Sequence, residues 1–143
     1  PEEVEKAISD TVSQFGRLDI LVNNAGINTL RDRVKIDQFP LAEWDRILRV
    51  DLTGLFMVSR LAAKQMIAQK SGRIINIADM AGKQPYRDYL PYCVSKGALL
   101  SLTRALAVEL APRVQVNSIC PGPVLPSPQQ PRRLLQQLRL RSR

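Results

Sequence analysis

Histidine is absent from the 143 residues, which excludes Ser-His-Asp and Cys-His catalysis and most catalytic zinc sites. Cysteine is scarce: Cys93 and Cys120 stand 27 residues apart, in no metal or redox spacing, so no metal site is expected and a reducing cytoplasm is the expected compartment. Long apolar runs are also missing. LDILV, GLFMV and RIINI reach only four to six residues, against roughly twenty for a bilayer span, and no charged-then-apolar leader opens the chain. The expectation is neither a membrane span nor a secretory signal. Acids, finally, are lacking after Glu109, while the last twelve residues hold Arg132, Arg133, Arg139, Arg141 and Arg143. The net charge of +8 is therefore mostly a property of the tail, and residues 1–131 carry about +3. A nucleic-acid partner is not expected, because the excess is local and the tail has no aromatic residue to stack on bases.

With 45% hydrophobic and 24% charged residues the composition is that of a soluble globular domain. Val4, Ile8, Val12 and Phe15 recur at helical spacing between Pro1-Glu2-Glu3 and Gly16, which predicts a helix. LDILV (18–22) is an almost wholly apolar run that predicts a parallel strand covered on both sides. From 41 to 68 a broad apolar stripe predicts one long helix, despite Gly54 in its middle. RIINI (73–77) predicts a second strand, 91–110 a helix stopped before Pro112, and VQVNSI (114–119) a third strand. Alternation of this kind implies an α/β fold with a parallel sheet, right-handed crossovers and helices on both faces. Ligands in such sheets sit at the carboxyl ends of the strands, so a site is expected from the segments NNAGI (23–27), 78–92 and CPGPV (120–124). Composition changes after Val124, which places a domain boundary near Leu125. Residues 126–143 then form a basic tail, disordered or foreign to the domain.

Three features carry chemistry. Asn23-Asn24-Ala25-Gly26 follows the first strand, where small residues admit a ligand close to the backbone and amides can bond a ribose. Tyr92 and Lys96 stand one helical turn apart. An ammonium beside a phenol favours the phenolate and makes the pair a usable proton donor and acceptor. Such a pair is common by accident and taken alone reads as an exposed helix couple. Asp79, thirteen residues before Tyr92 and just past the second strand, arrives at the same sheet edge and turns the balance.

LVNNAGI, RIINIAD, YCVSK and VNSICPGPV, in this order and spacing, together resemble the short-chain dehydrogenase/reductase family over residues 1 to about 125. The resemblance implies the C-terminal half of a doubly wound, Rossmann-type NAD(P)-binding domain, the glycine-rich N-terminal half lying outside the match. It implies an oxidoreductase using NAD(P)H, NADPH being favoured, in which Tyr92 protonates the substrate as hydride arrives and Lys96 holds the nicotinamide ribose. Asn23, Ala25 and Gly26 would line the adenosine end, with Tyr92 and Lys96 also touching the cofactor, and Pro121, Gly122 and Val124 would border the nicotinamide. Two positions depart from the commonest pattern. Asp79 stands where most members have a serine, and Asp51 (RVDLTG) where many have an asparagine completing a water relay. Aspartate at the serine position resembles the pteridine reductase branch, so a pterin or a carbonyl or alcohol is the expected substrate. Without the glycine-rich turn the chain alone is expected to be inactive. The alternative is a non-catalytic truncated homologue that associates with a full-length member, and the family implies dimers or tetramers through the helices 41–68 and 91–110.

Overall fold

The computed structural model of the protein describes residues 2–28 and 35–122. Helix α1 (Glu2–Phe15) carries Glu2, Glu3 and Glu5 in its first turn, where carboxylates oppose the positive end of the helix dipole. It stops at Gly16, whose φ of 75° lets its N–H reach the Val12 carbonyl at 2.8 Å.

Strand β1 (Ile20–Asn23) starts two residues later than the apolar run suggests. The reason is a side chain. The Gln69 Oε1 accepts from the Leu18 N–H at 2.9 Å and its Nε2 donates to the Leu18 carbonyl at 3.0 Å, so both backbone groups of Leu18 are already satisfied and have nothing to offer a strand ladder. Strands β1, β2 (Gly72–Ile77) and β3 (Val114–Ile119) form a parallel sheet in that order, with Leu21 beside Ile74, Ile74 beside Val116, and Asn23 beside Asn76 beside Ser118.

The single helix expected over 41–68 is instead α2 (Leu41–Leu48), a π-helical turn (Arg49–Gly54) and α3 (Leu55–Gln69). The backbone keeps its right-handed sense at both joints, which is why apolar spacing alone reads through it. Gly54 belongs to the widened turn, where a Cβ would come within 3.3 Å of the Arg49 carbonyl oxygen. Such turns recur at functional sites, and Asp51 lies in this one.

One face of the sheet, bearing Leu21, Ile74, Val114 and Val116, meets Ala62, Ala63 and Met66 of α3, Ile8 of α1, and Leu106 and Leu110 of α4 (Leu90–Leu110). Gly72 lets Met66 of α3 pack close against the sheet, since a side chain there would collide with the Met66 stem. The expectation of helices on both faces, and of a first strand covered on both sides, is not met among the described residues: these helices all share one face. Alternation leaves Ile20 and Val22 more than half exposed on the other, together with Ile119. Among the described residues no helix is long and apolar enough to cross a membrane. The expected tail, 126–143, lies outside the described residues, as does Val124.

Candidate functional site

The carboxyl ends of the three strands open into a cleft of about 540 Å³. Gly26, Asp79, Tyr92, Lys96 and Pro121 line it together, so five of the residues expected from sequence meet in one place. Asp79 is held by its own loop: it sits in extended backbone before a short 3-10 turn (Met80–Gly82), and its Oδ1 accepts from the Ala81 N–H at 2.6 Å. Its other oxygen, Oδ2, accepts from the Tyr92 hydroxyl at 2.9 Å. Helix α4 begins beside it, with Pro91 in the first turn, where a missing N–H is harmless.

Lys96 is 4% exposed, lies 5.5 Å from the Tyr92 ring centroid, and donates to the Ile77 carbonyl at 3.1 Å. Among the described residues that is its one hydrogen bond, which leaves ammonium donors for a ligand. Gly26 shapes the same spot. A methyl group there would stand 3.4 Å from the Lys96 Nζ and 3.5 Å from the Asp51 Oδ1, filling the space over the ammonium. A glycine cradle, buried ammonium donors and a phenol suit a polyhydroxylated, aromatic ligand such as a nicotinamide riboside, so the residues present fit the cofactor that the resemblance implies.

Asp51 is fully buried beneath the cleft. Its Oδ1 accepts from the Ile27 N–H at 2.7 Å and its Oδ2 from the Ser95 hydroxyl at 3.1 Å, tying the loop after β1 to the first turns of α4. Asn23 points elsewhere. Its Nδ2 donates to the Ser59 hydroxyl at 2.8 Å and to the Asn76 Oδ1 at 2.9 Å, within the core. Ala25 and Gly122 are described but do not line the cleft. Sequence reasoning missed Ser95, although it lies three residues after Tyr92 within YCVSK. It also missed Arg46, which lines the cleft beside Asn24 of the expected NNAGI segment; nothing in one sequence separates it from other surface arginines.

Sequence alone has Lys96 drawing the Tyr92 proton off more easily; the structure reverses this. Burial pushes the Tyr92 phenol well above the ordinary tyrosine value, and the hydrogen bond to Asp79 and the charges of Asp79 and Asp51 push it further. The last rise in phenolate absorbance is therefore expected well above pH 10, and to be missing from Tyr92→Phe. The folded state holds this proton more tightly than the unfolded chain does. The resulting stability is fully present below about pH 10 and is lost as pH climbs through the folded-state value. A phenolate step below pH 10 that disappears with Tyr92→Phe would contradict the arrangement.

A family model described as short chain dehydrogenase matches residues 1–136. The chain is 40% identical over 124 residues to a 3-oxoacyl-[acyl-carrier-protein] reductase of Synechocystis sp., covering 85% of this chain and 48% of that protein. It is 39% identical over 121 residues to a 5-keto-D-gluconate 5-reductase of Escherichia coli, covering 84% and 46%. Among solved structures, an NAD+-bound xylitol dehydrogenase superposes with a TM-score of 0.83 at 37% identity, over 88% of this chain and 48% of that one. ElxO with NADP bound gives 0.80 at 32% identity, over 85% and 48%. The chain spans about half the length of the curated relatives it matches.

Proposed function

The chain belongs to the short-chain dehydrogenase family, and from that premise we propose that it carries the proton-transfer half of an oxidoreductase working with NAD(P)H on a pterin or a carbonyl compound. The observation that carries the reading is the Tyr92 hydroxyl, hydrogen-bonded to Asp79 at the mouth of the cleft with the buried Lys96 ammonium behind it. A bound nicotinamide dinucleotide would supply the hydride. Gly26 and Lys96 would hold its ribose, and Pro121 would border its nicotinamide. Val124 is assigned there by resemblance with Gly122. Asn23, with its amide spent on Ser59 and Asn76, and Ala25 would offer backbone only. Tyr92 keeps its proton in the resting site and gives it to the substrate atom that gains charge. The Lys96 ammonium, 5.5 Å from the ring centroid, would then favour the new phenolate by its charge. The family resemblance favours NADPH, which direct comparison with NADH decides.

Asp79 supports the pterin side of this reading. A serine can donate to a substrate carbonyl; a carboxylate only accepts, and so suits a ligand that presents N–H groups, as a pterin ring does and a simple ketone does not. In the native protein, Asp79→Ser is expected to lower kcat/KM for a dihydropterin by tenfold or more and to leave or raise that for a small ketone. Equal effects on both would remove the pterin reading. Because no glycine-rich phosphate turn occurs within residues 1–143, we take the chain by itself to be inactive. A second role, association with a homologue or another copy through α3 and α4, is favoured by Phe56, Ile67, Val94 and Val108, all solvent-exposed large hydrophobics on those helices.

A further inference from the structure

Arg46, on the last turn of α2, lines the same cleft as Asn24, Gly26, Tyr92 and Lys96. Its guanidinium is half exposed and fixed along one edge only: Nε donates to the Glu43 Oε2 and Nη2 to the Glu43 Oε1, each at 2.7 Å. Among the described residues Nη1 has no partner. Glu43, three residues earlier on the same helix, thus holds the plane of the fork still while the outer edge keeps its donors. A fork with one edge anchored loses little freedom when it binds, and its parallel N–H groups match the paired oxygens of a phosphate or carboxylate. The carboxylates facing the guanidinium are Glu43 beside it and Asp51 at longer range, both of which raise its hold on its proton. It is therefore a permanent cation at the cleft wall.

We propose that Arg46 is the anion-recognising residue of the cleft, taking a phosphate or carboxylate group of the ligand whose reacting atom meets Tyr92. This rests on the oxidoreductase reading and names a feature of the ligand for that site. Two sources share the chemistry, a phosphate of the cofactor and the carboxylate of an acidic substrate.

The test follows the Arg46 Nε–H resonance of the native protein and of Glu43→Gln during titration with pyrophosphate and, separately, with D-gluconate, and measures the affinity for each anion by calorimetry in the parent, Arg46→Gln and Glu43→Gln. Saturable movement with pyrophosphate assigns the cofactor, and with gluconate the substrate. In either case the affinity of the whole protein for that anion is expected to fall tenfold or more in Arg46→Gln and by severalfold less than that in Glu43→Gln, which keeps the cation and loses only the anchoring of its fork. Both variants break the same ion pair, so a merely structural Arg46 would respond equally to the two. Equal losses, or no saturable movement with either anion, overturn the proposal. Turnover is scored separately: anion binding without any NADPH-dependent turnover would keep the site and sink the oxidoreductase reading, while turnover with an Arg46 indifferent to both anions would do the reverse.

Discussion

On the proposed function, Tyr92→Phe is expected to cut NAD(P)H-dependent reduction by the native protein by about 10²–10⁴, the ordinary contribution of a positioned general acid, with the cofactor dissociation constant nearly unchanged. The substitution removes one oxygen. The ring stays, and with it the surface 5.5 Å from the Lys96 ammonium. The Asp79 loop stays as well, because that carboxylate is independently fixed by the Ala81 N–H at 2.6 Å. What disappears is the hydroxyl proton at the cleft that the structure shows donated to Asp79. Single-turnover measurement separates hydride transfer from binding and gives the check. A rate within threefold of the parent would take the proton-donor role away from Tyr92, and with it the mechanism.

The second large effect concerns a residue with no reactive atom. Gly82 ends the 3-10 turn that begins after Asp79, and that turn lies directly on α4. A Cβ on Gly82 would stand 2.7 Å from the Lys96 carbonyl carbon and 2.8 Å from the Lys96 oxygen and the Gly97 nitrogen. These are main-chain atoms of a helix, which cannot swing aside as a side-chain tip can. Gly82→Ala is therefore expected to cost about 1–3 kcal/mol or somewhat more, seen as a fall of several degrees in Tm. It should also impair activity beyond the stability loss, since the turn that shifts carries Asp79 and the helix it pushes carries Lys96. Gly97→Ala is the control. Its Cβ would meet the Gly82 oxygen at 3.4 Å, an ordinary contact, and a much smaller change is expected. A Gly82→Ala protein melting within a degree of the parent would mean that the two segments are less tightly joined.

What was legible in the sequence follows from what each signal encodes. Strands β2 and β3 lie where their apolar runs lie, because their ends are set by backbone pairing with each other. Strand β1 starts late because Gln69, a residue 51 positions away from Leu18, takes the backbone groups the strand would have used. No local pattern carries such a long-range competition. The π turn at 49–54 was invisible for the opposite reason, since local spacing on either side of it remains helical. At the site, topology brought Asp79 to Tyr92 as expected, but the sign of the Tyr92 shift was misjudged. One-dimensional spacing reveals that Lys96 is near. It cannot reveal that the ring is half-buried and its hydroxyl already turned to a carboxylate, and those are the larger effects.

The asparagines inside the sheet have a consequence for how the strands align. The Asn76 Oδ1 accepts from the Asn23 Nδ2 of β1 and its Nδ2 donates to the Thr103 hydroxyl of α4 at 2.9 Å, while the Asn23 Nδ2 also donates to Ser59 of α3. Four polar side chains thus interlock in a core that is otherwise hydrocarbon, each nearly or fully closed to water. Ile74, Ile75 and Ile77 are interchangeable as grease, and a strand built from them alone could slide along its neighbours at small cost. Asn76 cannot slide. Displaced by two residues it would present isoleucine to Asn23, Ser59 and Thr103 and strand their donors and acceptors away from solvent, at about 1–3 kcal/mol for each group left unmet. The quartet acts as a vernier for the sheet: it admits one alignment, and by fixing where β2 ends it decides, two residues further on, where Asp79 can stand.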